Sequence, residues 1–467
     1  MRALIHRPLR LVPIGIALVC VAAAGCSTDK ILQVTDPDVA RPSSLVGAGN
    51  LPALRAGAIG DFGNAYDGQN ADVEQVHLSA LLSDEFINTE TFPTRIEIDQ
   101  RAQTLTNTSL STTFLDLARA RTSADRAASA FRQYAKTTTD STGYPEVLAL
   151  SGFTYVLFAE NYCGAVPAST QDSAGNLVYG SPQTTNQMLD SAISKFNQAL
   201  AVQGAPLTST FKYLAQVGKG RALLDKGDFA GAAAAVAGVP TTFQYLYSHS
   251  ETSGRQNNGT WSLTVSVGRF GEADREGGNG LPFQTEGNSK AATFDPRVAD
   301  SIRAGSHKGF DGGPEDQWVQ EKYPARSSPS VIADGVEARL IEAEAALQAG
   351  DAPGALGILN ALRSNSALLS LRGYAAGSLP PLTLQATTAA QQDQLFKERA
   401  YWLFLTSHRL GDMRRLIRQY GRGAETVFPT GLYFKGGTYG TDVNSPVPQP
   451  EQNNPNYTPS ACKQNQA

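Results

Sequence analysis

The sequence predicts an all-α fold: repeated helix pairs in a single superhelical body, with long irregular loops and little strand. Three observations carry this. Apolar residues recur at helical spacing through residues 71–240, as in SAISKFNQALAV, where Ala192, Ile193, Phe196, Ala199 and Leu200 share one face. Part of the chain repeats itself. Within the irregular stretch 241–330, only WSLTVSV at 261–267 alternates as a strand does. A length of 467 residues would otherwise suggest several domains, but a helical repeat makes one body of them.

The repeat is specific. Placing KGDFAGAAAAV over AGDAPGALGIL superposes Gly227 on Gly350, Asp228 on Asp351, Gly231 on Gly354 and Ala232 on Ala355. Upstream, Gly220 meets Ala343, Ala222 meets Ala345 and Leu224 meets Leu347. These are the parts of a helix hairpin: Gly-Asp makes the turn, the Asp caps the second helix, and small residues let the helices approach. The pattern resembles the tetratricopeptide repeat. SAISKFNQAL fits a further unit, and DRAASAFRQY at 125–134 fits more weakly. The pairs are interrupted rather than tandem, and they must stack because none buries its apolar face alone.

At the N-terminus Arg2, Arg7 and Arg10 precede LVPIGIALVCVAAAG, too short for a membrane span and of the length a signal-peptide core needs. The run ends in AAGC, which resembles a bacterial lipobox with Ala23 where Leu is usual. That resemblance implies a signal peptide over residues 1–25 and an acylated Cys26 as first mature residue; ordinary secretory cleavage nearby is the alternative. Ser27 rather than Asp follows the cysteine, so by analogy with lipoprotein sorting the expected place is the outer membrane, lipid-anchored, at the cell surface. Cys163 and Cys462 are left as an even pair in an oxidising compartment. They are either a disulfide tying the tail to a helix near residue 160 or two free thiols.

The chain has 39 basic and 43 acidic residues, and removing residues 1–25 leaves 36 against 43. A nucleic-acid binder of this balance would need its positive charge gathered in one patch. The one candidate is KERAYWLFLTSHRLGDMRRL, 397–416. On a helix, however, Phe396, Ala400, Leu403, Leu410, Met413 and Ile417 gather on one side, with Ser407 the one small polar step. Asp412 lies three residues from Arg409 and Arg415, and Arg414, Arg415 and Arg418 suit the negative helix end before Gly421. The stretch is therefore expected to be a packing helix, and no nucleic-acid partner is expected.

Five segments follow: a lipid-proximal leader and first helix at 26–70, with the helix near 51–65; helix pairs at 71–240; a loop-rich insert at 241–330; a helix pair and final helix at 331–420; and an irregular segment at 421–467. The insert holds Tyr245, Tyr247, Trp261, Phe270 and Trp318. Sugar rings stack on aromatic faces, so these five, with Phe92 from ETFPTR at 90–95, are candidate ligand residues. The alternative is that each plugs a loop onto the helical body. No catalytic residue is assigned. His77, His249, His307 and His408 have no metal-ligand spacing, and DGGPED at 311–316 lacks the alternating ligands of a calcium loop, so neither metal nor cofactor is expected. Asp84 and Glu85 are neighbours that do not face each other on a helix, and they read as a cap and a solvated acid.

Separated stretches resemble one family, the SusD-like (RagB/SusD) outer-membrane nutrient-uptake lipoproteins. They are LSALLSDEF at 78–86, GFTYVLFAENYCGAVP at 152–167, DPRV at 295–298, KYP at 322–324, EARLIEAEAALQAGDAPGALGILNALR at 337–363, ERAYWLFLTSHRLGDMRRL at 398–416 and PVPQPEQNNPNY near the end. They occur in the family's order. The departure is at Thr406 and Ser407, which stand where Glu and Gly are common. The resemblance implies tetratricopeptide-like pairs with a ligand surface built on loops. It implies a non-catalytic, lipid-anchored protein that binds a nutrient, oligosaccharide first among them. It also implies a partner, a SusC-like TonB-dependent β-barrel that receives the ligand. The alternatives are an envelope-assembly scaffold lipoprotein and, less well supported, a glycoside hydrolase, which needs two carboxyls flanking the bond.

Overall fold

The structure, a computed structural model, describes residues 46–68, 73–172 and 176–467. The expected signal peptide and Cys26 lie outside the described residues. Residues 47–467 form one unit. Its first helices are α1 (Leu51–Asp67), α2 (Gln75–Leu82), α3 (Pro93–Asp99), α4 (Thr108–Tyr134) and α5 (Tyr144–Asn161). After these come α6 (Thr185–Leu200), α7 (Ser209–Asp225) and α8 (Phe229–Val236). Beyond the insert lie α9 (Gly335–Gln348), α10 (Ala352–Ser364), α11 (Ser366–Leu371), α12 (Thr388–Trp402) and α13 (Arg409–Arg418). Among the described residues the strands form only two-stranded antiparallel pairs.

Helix α5 is the hub. It is buried on every face from Pro145 to Asn161, as a helix apolar all round must be, and α4, α6 and α7 pack around it. Phe196 of α6 is wedged between two glycines. A Cβ at Gly152 of α5 or at Gly218 of α7 would come within 2.7 or 2.3 Å of its ring, so those glycines form the socket. Phe153 meets the same ring edge-on at 5.2 Å.

The repeat closes as its residues require. Gly227 and Gly350 take φ of 80° and 84°, the left-handed conformation that glycine adopts cheaply. Asp228 then accepts the Gly231 N–H at 2.9 Å and Asp351 the Gly354 N–H at 2.8 Å, capping α8 and α10. The two units are joined in space although the insert separates them in sequence: α8 packs on α9, and a Cβ at Gly220 would stand 3.3 Å from Ile341 Cδ1 of α9.

Two expectations about secondary structure are overturned. WSLTVSV is not a strand: residues 259–261 form a helical turn that continues as a π-helix over Ser262–Ser266. Asn258 accepts the Trp261 N–H at 2.7 Å, and Asp67 accepts from the Thr260 N–H at 3.0 Å and its hydroxyl at 2.6 Å, so a local cap and one distant carboxylate start a helix that alternation alone argued against.

The segment 397–416 is not one helix either. Helix α12 stops at Trp402, Leu405 and Ser407 adopt φ of 51° and 58°, and α13 begins at Arg409. Ser407, where the resemblance leads one to expect Gly, thus occupies a glycine conformation. Side chains from elsewhere take up the backbone groups freed by the break. Glu85 accepts the Leu405 N–H at 2.9 Å, and Tyr323, Tyr66 and Arg221 donate to the carbonyls of Leu405, Thr406 and Ser407 at 3.0, 2.8 and 2.8 Å.

The arginines of this segment are structural, though not all as expected. Asp412 accepts from Arg415 at 2.7 Å and from Arg399 at 2.8 Å, but Arg409 turns instead to Asp84. Arg414 donates to Ala159 O at 2.8 Å and Glu160 O at 2.5 Å, so it caps the end of α5 and not of its own helix. Glu85 is no solvated acid: it is buried, and burial pushes its carboxyl up to about 8. Cys163 is disulfide-bonded to Cys462, with Cα atoms 5.1 Å apart.

Candidate functional site

Loops gathered over this scaffold enclose a cleft of about 1000 Å³. Its wall draws on the strand pair Phe86–Asn88 with Phe270–Glu272, the strand Trp318–Gln320, the loop 308–317 and the tail loop 432–439. The tail loop is shaped by glycine: Gly431, Gly436 and Gly437 have φ of 81°, 101° and 78°. Two tyrosines pin it, Tyr433 donating to Asp99 Oδ2 at 2.7 Å and Tyr439 to Glu276 Oε1 at 2.8 Å. Lys435 adds a bond to Glu90 O at 2.8 Å and an ion pair to Asp311.

Aromatic and apolar surface is exposed around these loops. Phe434 is 52% and Leu432 83% exposed, and half-buried Trp318 and Tyr439 line the cleft with them. Next to lining residue Gly309, Phe310 carries exposed surface and stands 6.5 Å from Phe92, with Arg269 over both rings at 4.3 and 4.7 Å. Large exposed rings of this kind mark a binding surface.

The floor is acidic, and burial holds its carboxyls above their ordinary range. Burial, and then Asp300, raise Glu272 well above the usual carboxylate range; burial and Asp99 do the same to Glu276. Asp99 is raised to about 6, chiefly by burial. Among the described residues no three His, Cys, Asp or Glu side chains gather as metal ligands.

Of the six aromatics expected at a ligand surface, only Trp318 lines the cleft. Phe92 is exposed beside Phe310. Phe270 is fully buried, 6.0 Å from Phe86, and has no face to offer a ligand. Tyr245 donates to Glu146 at 2.7 Å, and Tyr247 lies on Gly63, where a Cβ would stand 1.9 Å from its ring. Trp261 is half-buried under Arg326, 5.1 Å from its ring centre. These four fasten loops to the body, as satellite cores do. The missed residues are Phe310, Phe434 and Tyr439. The signal for the last two was TGLYFKGGTYG at 430–440, where aromatics alternate with turn-forming glycines.

The fold has known counterparts. A SusD-like carbohydrate binding protein from Bacteroides fragilis NCTC 9343 superposes with a TM-score of 0.61 at 15% identity, covering 88% of this chain and 99% of its own. The fold is that of the SusD superfamily. A SusD superfamily protein from Bacteroides vulgatus ATCC 8482 gives 0.59 at 14% identity over 88% of this chain and all of its own. Another, from Bacteroides fragilis, gives 0.59 at 13% over 87% and 97%. No protein-family model matches the chain, and no curated protein matches it by sequence. On the SusD fold, the motifs DPRV, KYP and Glu398-Arg399 turn out to be fastenings. Arg297 is held by Asp295 at 2.7 Å and by Glu398 at 2.7 Å, with Trp402 against its guanidinium at 5.0 Å.

Proposed function

We propose that the protein captures a saccharide in the cleft and, held at the outer membrane through an acylated Cys26, passes it to a SusC-like TonB-dependent β-barrel. The observation that carries this reading is the cleft of about 1000 Å³ with Trp318, Phe434 and Tyr439 on its wall. Such rings offer flat apolar faces with polar edges, which suit a sugar's apolar face and its hydroxyls. The fold supports it, since a solved structure sharing that fold is described as a carbohydrate binding protein. The role is read as binding and not hydrolysis, because solved structures sharing the fold are described as carbohydrate binding proteins.

The test is a glycan binding screen on the full chain in mild detergent, repeated with Trp318→Ala plus Phe434→Ala. Binding that is lost in the double variant is expected. A screen without a single binder, or one whose binders ignore both substitutions, would overturn the reading. Handover is tested separately by mild extraction, where the chain should co-purify with a large barrel; recovery free of any barrel counts against that half.

A further inference from the structure

The cleft contains more acid than its cations can match. Its three cations are all engaged by acids of the same cleft: Arg275 with Asp274 at 3.0 Å, Lys308 with Asp316 at 3.1 Å, and Lys435 with Asp311. Glu272, Glu276 and Glu315 also line it and form no ion pair among the described residues. Glu276 is taken by Tyr439.

Glu272 differs from the other two. It is 2% exposed, and neither carboxyl oxygen has a hydrogen-bond partner among the described residues. Buried acceptors left bare are costly, and native structures rarely keep them without a use. The charges that bear on it most come from Asp300, Glu85, Asp274 and Glu321, all carboxyls from four different segments. Asp300 is itself buried with both oxygens bare. A group entering here finds bare acceptors among clustered carboxyls whose charged forms only a cation would favour, so it must bring donors and positive charge.

Building on the saccharide reading above, we propose that the cleft selects saccharides bearing protonated amines, that Glu272 receives the ammonium group, and that polyanionic chains are turned away. An ammonium supplies three N–H donors in a compact charge, which answers a bare carboxylate. A uronic-acid chain meets only acids and cations that are already paired. Burial and then Asp300 hold the Glu272 carboxyl well above its usual range, and an arriving ammonium would lower it, so binding would be accompanied by net proton release to solvent.

Titration calorimetry on the full chain in detergent compares a glucosamine hexamer, its fully N-acetylated counterpart and a galacturonate hexamer. The amine form is expected to bind tighter than the acetylated form by about tenfold or more, and the galacturonate form should give no heat of binding. Repeating the amine titration in two buffers of different ionisation enthalpy should show net proton release. Glu272→Gln should erase both the preference and the proton release, with circular dichroism reporting its fold.

Equal or weaker binding of the amine form overturns the proposal, as does wild-type binding without proton release, which does not depend on the variant folding. Calcium chloride that binds alone, through Glu272, marks a metal site and also overturns it. If the acetylated hexamer binds and the amine brings no advantage, charge selection alone falls. If none of the three binds, the amine proposal falls, and the saccharide reading falls only if the glycan screen also yields no binder.

Discussion

Arg409 and Asp84, 325 positions apart in sequence, close a two-pronged ion pair: Nε donates to Oδ1 at 2.6 Å and Nη2 to Oδ2 at 2.8 Å. Both are buried, and Asp84 Oδ2 also accepts the Leu281 N–H at 2.8 Å. One carboxylate therefore ties together the turn after α2, the start of α13 and a loop of the insert. Burying the pair carries a desolvation cost, so its net contribution is modest, but removing one partner strands a charge. Arg409→Met should destabilise by about 3–5 kcal/mol, read as a lower urea midpoint. Adding Asp84→Asn should restore part of that loss. If the double variant is no better than the single, the stranded-charge account is wrong.

The Cys163–Cys462 bond closes a loop of sequence separation 299, and the tail beside it is also sewn in by Asn444, which donates to Lys463 O at 3.1 Å. Cys462→Ser should lower stability by about 2–5 kcal/mol. A reductant should do the same to the wild type and nothing further to the variant. Identical unfolding curves with and without reductant would show that the bond contributes nothing.

Trp318 and Trp261 should behave oppositely. Trp318 lines the cleft, so Trp318→Ala should weaken saccharide binding by about tenfold, about 1.4 kcal/mol, with little change in melting temperature. Trp261 packs against the core under Arg326. Its substitution by Ala should cost about 2–3 kcal/mol of stability and leave affinity within about twofold. Reversed phenotypes would move the ligand surface away from the cleft.

Stability should fall as pH rises from about 4 to 8. Burial raises Glu85 from its ordinary 4.5 to about 8 and Asp300 from 3.8 to about 8, so the folded state holds these protons more tightly than the unfolded state. Their contribution is complete below the unfolded values and is lost as pH climbs through about 8, with a slope of at most about 1.4 kcal/mol per pH unit for each. Glu85→Gln keeps an acceptor for the Leu405 N–H. It should be near neutral at pH 5 and stabilising at pH 8. A variant equally stable relative to wild type at both values would refute the assignment. Asp412 acts in the opposite sense: Arg399 and Arg415 hold it well below the usual range against the opposing effect of burial, and its contribution disappears only in strong acid.

What could be read without coordinates was what single segments encode. The helical period around Phe196, the Gly-Asp turns at 227–228 and 350–351 and the capping by Asp228 and Asp351 all depend on a few adjacent residues, and the structure repeats them. The separated motifs likewise pointed to the SusD fold, and several supply one end of a buried ion pair, as Asp84, Glu160, Arg297, Glu344 and Asp412 do. WSLTVSV misled because its helix is nucleated from outside by Asp67, and 397–416 misled because Glu85, Tyr66, Tyr323 and Arg221 satisfy a broken backbone that its own period would have continued.

The candidate site was legible only in part for the same reason. Whether an aromatic ring is exposed is not a property of its own segment. Phe270 and Trp318 stand in similar loop-rich surroundings, yet one is sealed under Phe86 and the other lines a cleft. The sequence by itself determined the helix pairs, their turns and the segments that had to fasten to one another. Only the tertiary structure decided which rings line the cleft and which acid is left bare there, because burial and an unmet hydrogen bond arise between segments that meet only when the chain has folded.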